Sequence, residues 1–532
     1  MVKIIIIGGG IAGLAAATIL ADMNKFDIEL YEKNPQIGGQ AASEFSGTCF
    51  IEYSWRIFGQ SYHNIMYIIQ KLGIKDNFTT LKQPCFITKD SSSSGNLNSY
   101  NLLYQSAKTG DFNTLNKILN LGFICRDRAL NDYQDVNAYH YFNKNPIIQS
   151  ILGPILGMDA NKVSLSGFYK NIYSVSDKRR FNFSPTDTLI TRGPTQNSLF
   201  DPWLKYLQNK GVKVYTNHQL QSVNTRNNII NNIIINNKFI KGDEYIFSCS
   251  LDPLIRICSM NNDLKYCPSI YNLQHLSHDL QLYFTINLYF SEPLITSNTC
   301  SEMVIVDMPW KPIIQKKRNW QQKYLKRCKK PIQDIWNVGF LDYNKGIKIK
   351  KILRDCTLKE AIDEGIYQIK ESQYIKKLLK NKSFDDIFIG YEYWPEFVNK
   401  NNKLISTNPK FSINTKTMKY MPTNQPHDIP KNMYLAGYYV KSTMGGVSME
   451  ASCETGLDVG QKILNKYNIK NDKIIPIKHE IQYVNFLTIP FVYLDKVLYK
   501  AGIQPITSYI PSSVLIFLYI LFLLAIFFLY YT

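Results

Sequence analysis

The chain has 532 residues, too many for one hydrophobic core, and length alone predicts about three folding units. A composition of 45% hydrophobic and 19% charged residues excludes a disordered chain. Lys and Arg number 61 against 42 Asp and Glu, a net charge of +19 that points to an anionic partner, nucleic acid or a membrane face, with coding bias toward Ile, Asn, Lys and Tyr as a second source.

The first strand is Met1-Val-Lys-Ile-Ile-Ile-Ile7. Its apolar run is too short for a signal peptide and reads as a buried parallel strand. It runs into Gly8-Gly9-Gly10-Ile11-Ala12-Gly13, and residues 14–23 are small, apolar and helical in character. Residues 27–31 form a second strand ending in Glu32. Residues 91–96 read as a flexible loop. Residues 202–209 read as a helix, and Gly211-Val-Lys-Val-Tyr215 as a strand. Residues 227–237 alternate Asn pairs with Ile runs, a pattern for a β-hairpin. Residues 281–290 are a strand candidate and 358–379 a helix candidate. Residues 311–330 hold nine basic residues and no acid, with Trp310 and Trp320 close by. A solvated basic surface is the expectation there; no nucleic-acid module accompanies it, and nucleic acid is not an expected partner. Ser448 is a plausible N-cap for a helix over 449–465.

Residues 483–498 are mostly apolar and aromatic, broken by Pro490, and fit either a membrane interface or ordinary surface packing. Residues 514–531 are 18 consecutive apolar or aromatic residues, about 27 Å as a helix. The expectation is a single-pass C-terminal membrane anchor, with the N-terminal bulk cytosolic and the lipid bilayer as a partner. Lysines 462, 466, 470, 473 and 478 precede it. The ten cysteines form no CxxC pair and are expected to be mostly buried, reduced thiols. The seven histidines form no HExxH cluster, so no metal site is expected.

The glycine pattern has the context that gives GxGxxG its meaning: a strand before it, a helix after it, and Glu32 at the end of the next strand. Gly8 permits the tight turn, Gly10 lets backbone approach a pyrophosphate, and Gly13 allows close packing. The N–H groups of Ile11 and Ala12 lie where a helix N-terminus attracts phosphate. Glu32 can accept from ribose hydroxyls, and Lys33 follows it. Then come Gly38-Gly39-Gln40. Far down the chain, Asn432-Met-Tyr-Leu-Ala436-Gly437-Tyr438-Tyr439 precedes Gly445-Gly-Val-Ser448-Met449-Glu450.

Together these stretches resemble the FAD-dependent amine oxidase and phytoene (carotenoid) desaturase-like flavoprotein superfamily. Three inner segments add to the resemblance: residues 51–59 with Ser54, Trp55 and Arg56; Arg192-Gly-Pro-Thr195 through Asp201-Pro-Trp203; and Val306-Asp-Met-Pro-Trp310. Two departures stand out. Gln40 replaces the usual basic residue, and Tyr438 stands where the family has an acid.

The resemblance implies an α/β fold: a Rossmann-type FAD-binding domain, an interleaved α+β substrate domain and a C-terminal transmembrane helix. The FAD domain is expected over 1–85, 195–265 and 425–465, and the substrate domain over 86–194 and 266–424. A juxtamembrane segment over 466–513 and the anchor over 514–531 complete the chain. The resemblance implies FAD, non-covalent because Gly445 and Gly446 stand where some relatives attach flavin to Cys. It assigns cofactor contacts to Gly8, Gly10, Ile11, Ala12, Gly13, Glu32, Lys33, Gly39, Gln40, Ser54, Leu220, Gly437, Tyr438, Ser448 and Met449. Trp55, Arg56 and Tyr439 are candidates for lining the flavin pocket, Thr285 stands where amine oxidases carry a lysine, and no general base is assigned. The expected reaction moves hydride from a lipophilic, isoprenoid or lipid-like substrate to flavin N5. Amine oxidation is the alternative, and a catalytically inactive flavin-binding membrane protein is the third reading. Oxygen and quinone both remain open as electron acceptor.

Overall fold

The computed structural model describes residues 1–54, 56–59, 62–81, 85–87, 92–94, 99–145, 148, 161–175, 188–277, 280–293, 302–306, 308–329, 331–341, 344–379, 382–411, 417–444, 448–471, 480–481 and 488–531. A five-stranded parallel sheet is assembled from distant stretches, in the order Lys213–Tyr215, Phe26–Tyr31, Val2–Ile7, Glu244–Phe247 and Met433–Leu435. The four isoleucines of the first strand are buried on both faces. Ile5 and Ile7 join one core, and Ile4 and Ile6 join another beneath the first helix, Ile11–Ala21. That is why the strand reads as an unbroken apolar run rather than an alternating one.

Every residue of the first helix is buried. Its alanines let the helix Met449–Lys466 cross it closely. A Cβ on Gly456 would lie 2.1 Å from the Ala12 carbonyl oxygen, and one on Gly460 1.9 Å from Ile19 Cγ2. Trp203 donates to Thr18 Oγ1 at 2.8 Å and fixes the helix Asp201–Asn209 against the same face.

The Asn-Ile stretch makes two turns rather than one. Strands Leu220–Arg226, Ile229–Ile235 and Lys238–Ile240 form an antiparallel sheet. Asn227 and Asn228 have φ of 54° and 57°, and Asn236 and Asn237 have φ of 46° and 61°. Asparagine tolerates this left-handed backbone, so the two pairs turn the chain. The intervening Asn232 stays in the strand and accepts from Asn224 at 2.7 Å.

A second sheet has seven strands in the order Phe388–Tyr393, Tyr283–Phe290, Asp334–Leu341, Ile313–Lys316, Glu302–Ile305, Cys85–Ile87 and Ser92–Ser94. Residues 92–94, expected in a loop, thus form a strand by pairing antiparallel with Cys85–Ile87. The helix expected over 358–379 is broken at Ser372 into Leu358–Glu371 and Gln373–Leu379, the first held by a Thr357–Glu360 capping box.

Two other expectations differ. Within the basic run, Lys311, Lys316 and Lys317 are buried, so it is not a uniformly solvated face. Lys316 lies 4.9 Å from the Trp336 ring, and burial lowers its amine to about 7. Among the cysteines, Cys49 and Cys328 form a disulfide, 279 residues apart in sequence. Cys125, Cys258, Cys356 and Cys453 are buried free thiols.

The helix Ile489–Lys500 takes Pro490 into its first turn, where the missing N–H costs nothing. The terminal helix, Ser512–Tyr531, is exposed along most of its length. Over Ser512–Tyr530 its hydropathy is 2.8, long and apolar enough to cross a membrane.

Candidate functional site

The site is built where the first strand ends. Gly8 has φ of 108°, and a Cβ there would meet the Ser248–Cys249 backbone at 2.8 Å. A Cβ on Gly13 would meet the Gly8 oxygen at 2.1 Å, so the first helix can approach the sheet only with glycine there. Gly10 differs: a Cβ added to it meets nothing within 4 Å. Gly10 caps the first helix with no side-chain hydrogen bond, and the first turn holds no acid. The N–H groups of Ile11 and Ala12 therefore have no intrahelical acceptor and sit behind open space.

Glu32 is buried at the end of the second strand. One carboxylate oxygen accepts from Gly9 N at 2.7 Å, the other from Asn34 N at 2.9 Å. Burial raises its pKa, opposed by those two N–H groups. Each oxygen keeps a lone pair for a hydroxyl donor. Lys33 points to solvent. Beside Glu32, Tyr31 stacks on Tyr215 at 5.0 Å, and the His218 N–H donates to the Glu32 carbonyl at 2.8 Å. Leu220 follows at the start of its strand, paired with Ile235. The turn at Gly38 and Gly39, with φ of 115° and 56°, folds over Gly10. Gly38 N donates to Gly9 O at 2.8 Å.

Arg56 holds that turn in place. It donates to Gln40 O at 2.6 Å, to Ala41 O at 3.4 Å and to Ser54 Oγ at 2.6 Å. Arg56, a candidate for lining the flavin pocket, is thus a buried clamp on that turn. The Gln40 side chain donates to Asn408 O at 3.0 Å. Trp55 lies outside the described residues.

A charged cluster missed in the sequence lies beneath Arg56. The fully buried Glu52 accepts from Ser43 Oγ at 2.8 Å and from Thr195 N and Oγ1 at 3.0 and 2.6 Å, and it pairs with the buried Lys317. Burial works against its charge, but Lys317 and Arg56 hold the carboxyl well below the usual range. Gln315 accepts from Arg56 N and donates to Arg56 O, both at 2.9 Å, and Asn337 donates to Glu52 O at 2.9 Å. This cluster joins the strand Phe50–Glu52 to the second sheet. Thr285, expected at the lysine position of amine oxidases, is buried and donates to Tyr53 O at 2.5 Å.

On the far side, Gly437 has φ of 143° and donates to Thr455 Oγ1 at 3.0 Å. Tyr438 follows, its phenol raised by burial and turned toward the Leu251 backbone. Tyr439, a candidate for lining the flavin pocket, is fully buried, with its hydroxyl 3.4 Å from Phe247 O. Ser448 caps the Met449–Lys466 helix as expected, accepting from Ala451 N at 3.1 Å, and Met449 is half-buried. Glu450, also missed, accepts from Asn64 N and Ile65 N at 2.8 and 3.0 Å and caps the helix His63–Lys71. Glu454 accepts from Thr443 N and Oγ1 at 2.8 and 2.9 Å, tying the preceding loop to its own helix. An acid directly after Met449 was the one sequence signal for Glu450. Residues 445–447, where the expectation of non-covalent FAD rested, lie outside the described residues.

These residues fit an FAD: an uncapped helix N-terminus behind open space at Gly10 for the diphosphate, and the Glu32 carboxylate for the ribose. Residues 6–72 match the NAD(P)-binding Rossmann-like domain family. The chain is 25% identical over 289 residues to a zeta-carotene desaturase of Synechocystis sp., covering 47% of this chain. The match spans 58% of that relative's length. Among solved structures, an oxidoreductase from Methanosarcina mazei superposes with a TM-score of 0.58 at 14% identity, over 86% of this chain and 100% of that one. A putrescine oxidase variant gives 0.58 at 12% identity, over 87% and 99%. These relatives are oxidoreductases, and the chain has the Rossmann-like α/β fold of the FAD-dependent amine oxidase and desaturase superfamily.

Proposed function

We propose that this protein is an FAD-dependent oxidoreductase that removes hydride from a lipophilic substrate at a membrane. The observation that carries the flavin reading is the cradle at Gly10. There an uncapped helix N-terminus opens toward free space, with the Glu32 carboxylate at the neighbouring strand end. Non-covalent FAD, when bound, supplies the hydride acceptor at its N5 atom.

The chain's own residues then have three tasks. Ile11 and Ala12 offer N–H groups to the diphosphate, and Glu32 accepts from the ribose. Arg56 fixes the Gly38–Gly39 turn above them, and the Glu52–Lys317 pair fixes Arg56 against the second sheet. The Ser448-capped helix, packed parallel to the first helix, directs its N-terminus toward the same end, where it would stabilise negative charge. Buried aromatic side chains, among them Tyr53, Tyr283 and Trp394, surround this junction and keep water out. No general base is assigned.

The lipophilic class of substrate rests on two supports. One is the likeness to a zeta-carotene desaturase. The other is the terminal helix, which would hold the protein beside a bilayer where such a substrate dissolves. Purified full-length protein should show the visible absorbance of oxidised flavin. Anaerobic addition of polyene isoprenoids should bleach it, and primary amines should not. Bleaching by amines alone would replace this reading with amine oxidation. A folded, colourless protein that cannot be loaded with FAD would overturn it.

A further inference from the structure

The helix Ile489–Lys500 carries an unusually apolar outer face and buries an acid. Its buried residues are Val492 and Asp495, while Ile489, Tyr493, Leu494 and Val497 face outward, with Tyr493 and Val497 each 64% exposed. A helix on a water-facing surface normally buries its apolar stripe and exposes its charges. Here four apolar side chains face outward, and of the three charged residues Asp495 is turned inward and held there while Lys496 and Lys500 stay exposed. Asp495 pairs with Arg128 Nε at 3.1 Å and accepts from Cys125 N at 2.8 Å. Arg128 also donates to Ile503 O at 2.6 Å and lies 4.9 Å from the Tyr499 ring. Both ions are buried, so the pair fixes the rotation of the helix about its axis. That rotation is what presents the apolar side.

The outward face continues through Ile503 and Tyr509 into the exposed terminal helix. Phe491 bridges the two parts, 5.1 Å from the Phe123 ring on the body and 5.7 Å from the Tyr519 ring on the terminal helix. Lys496 and Lys500 stand exposed on the same helix. Apolar and tyrosine side chains with lysines at the edge match the boundary between acyl chains and anionic headgroups.

We propose that the outer face of Ile489–Lys500 lies in the lipid interface, and that the Arg128–Asp495 pair locks the catalytic body to the membrane in one orientation. This rests on the terminal helix spanning the same bilayer, and the test separates the two. Single-cysteine probes at Tyr493, Val497, Phe522 and, as a water-facing control, Phe239 would carry an environment-sensitive fluorophore. Each would be placed in the full chain in phosphatidylcholine–phosphatidylglycerol vesicles, with labelled wild-type chain as background. The expected result is a blue-shifted emission at residues 493 and 497, quenched at least about twofold more than at 239 by lipids brominated near the headgroup. Quenching at 522 by deep bromines with none at 493 and 497 would overturn the interface while leaving the anchor. No quenching at 522 would overturn both. A blue shift at 493 that depends on protein concentration and not on vesicles would assign the face to a second copy instead, and also overturn the proposal.

Discussion

Replacing Lys317 with methionine tests whether the buried cluster joins the strand Phe50–Glu52 to the second sheet. In the wild-type chain Glu52 Oε1 is satisfied by Ser43 and Thr195, while Oε2 relies on Lys317. Lys317→Met keeps the first set and strips the second. Removing one partner of a buried pair costs about 3–5 kcal/mol. Arg56 remains near, so the lower end, about 3 kcal/mol, is expected. Glu52→Gln should cost a similar amount by leaving the Lys317 ammonium buried and unpaired. The double variant should cost clearly less than the sum, with a coupling of about 2 kcal/mol or more. Urea unfolding at fixed FAD and detergent measures all four.

The cluster also sets a pH dependence. Lys317 and Arg56 hold the folded-state pKa of Glu52 below the ordinary glutamate value of about 4.3. Its contribution is therefore complete above that value and lost as pH falls below it. Lys317→Met should move this loss to higher pH. A coupling under about 0.5 kcal/mol, or an unchanged acid limb, would refute the reasoning.

Glycine variants separate fold from cofactor. Gly10→Ala meets open space and should leave apo stability within about 0.5 kcal/mol of wild type while lowering FAD occupancy; Gly13→Ala should destabilise the apo protein as well, and equal behaviour of the two in thermal unfolding would argue against the cradle. Gly456→Ala forces a methyl onto the Ala12 carbonyl oxygen and should cost about 1–3 kcal/mol or more by overpacking, with FAD loss because the first helix shifts; an unchanged melting curve and flavin content would contradict that contact. The Cys49–Cys328 disulfide closes a long loop, so the double serine variant should lose about 2–4 kcal/mol. Wild-type protein should also show a reductant-dependent shift on a gel, and identical mobility with and without reductant would exclude the bond.

Where a feature depends on neighbouring residues, the sequence was sufficient. Gly13 is demanded by its close approach to the Gly8 carbonyl five residues earlier. Ser448 caps the next turn, asparagine pairs tolerate positive φ, and an unbroken apolar run makes the terminal helix; each is settled within a turn of chain. What tertiary structure decided are partnerships across hundreds of residues. Lys317 looked like part of a basic surface until the second sheet brought it to Glu52, 265 positions away. Arg56 reaches the carbonyls of Gln40 and Ala41 only through the fold. Asp495 meets Arg128 across 367 positions, a pairing with no local signal. Burying a charge is unfavourable unless a partner compensates. The partner is chosen by topology, which local periodicity does not record.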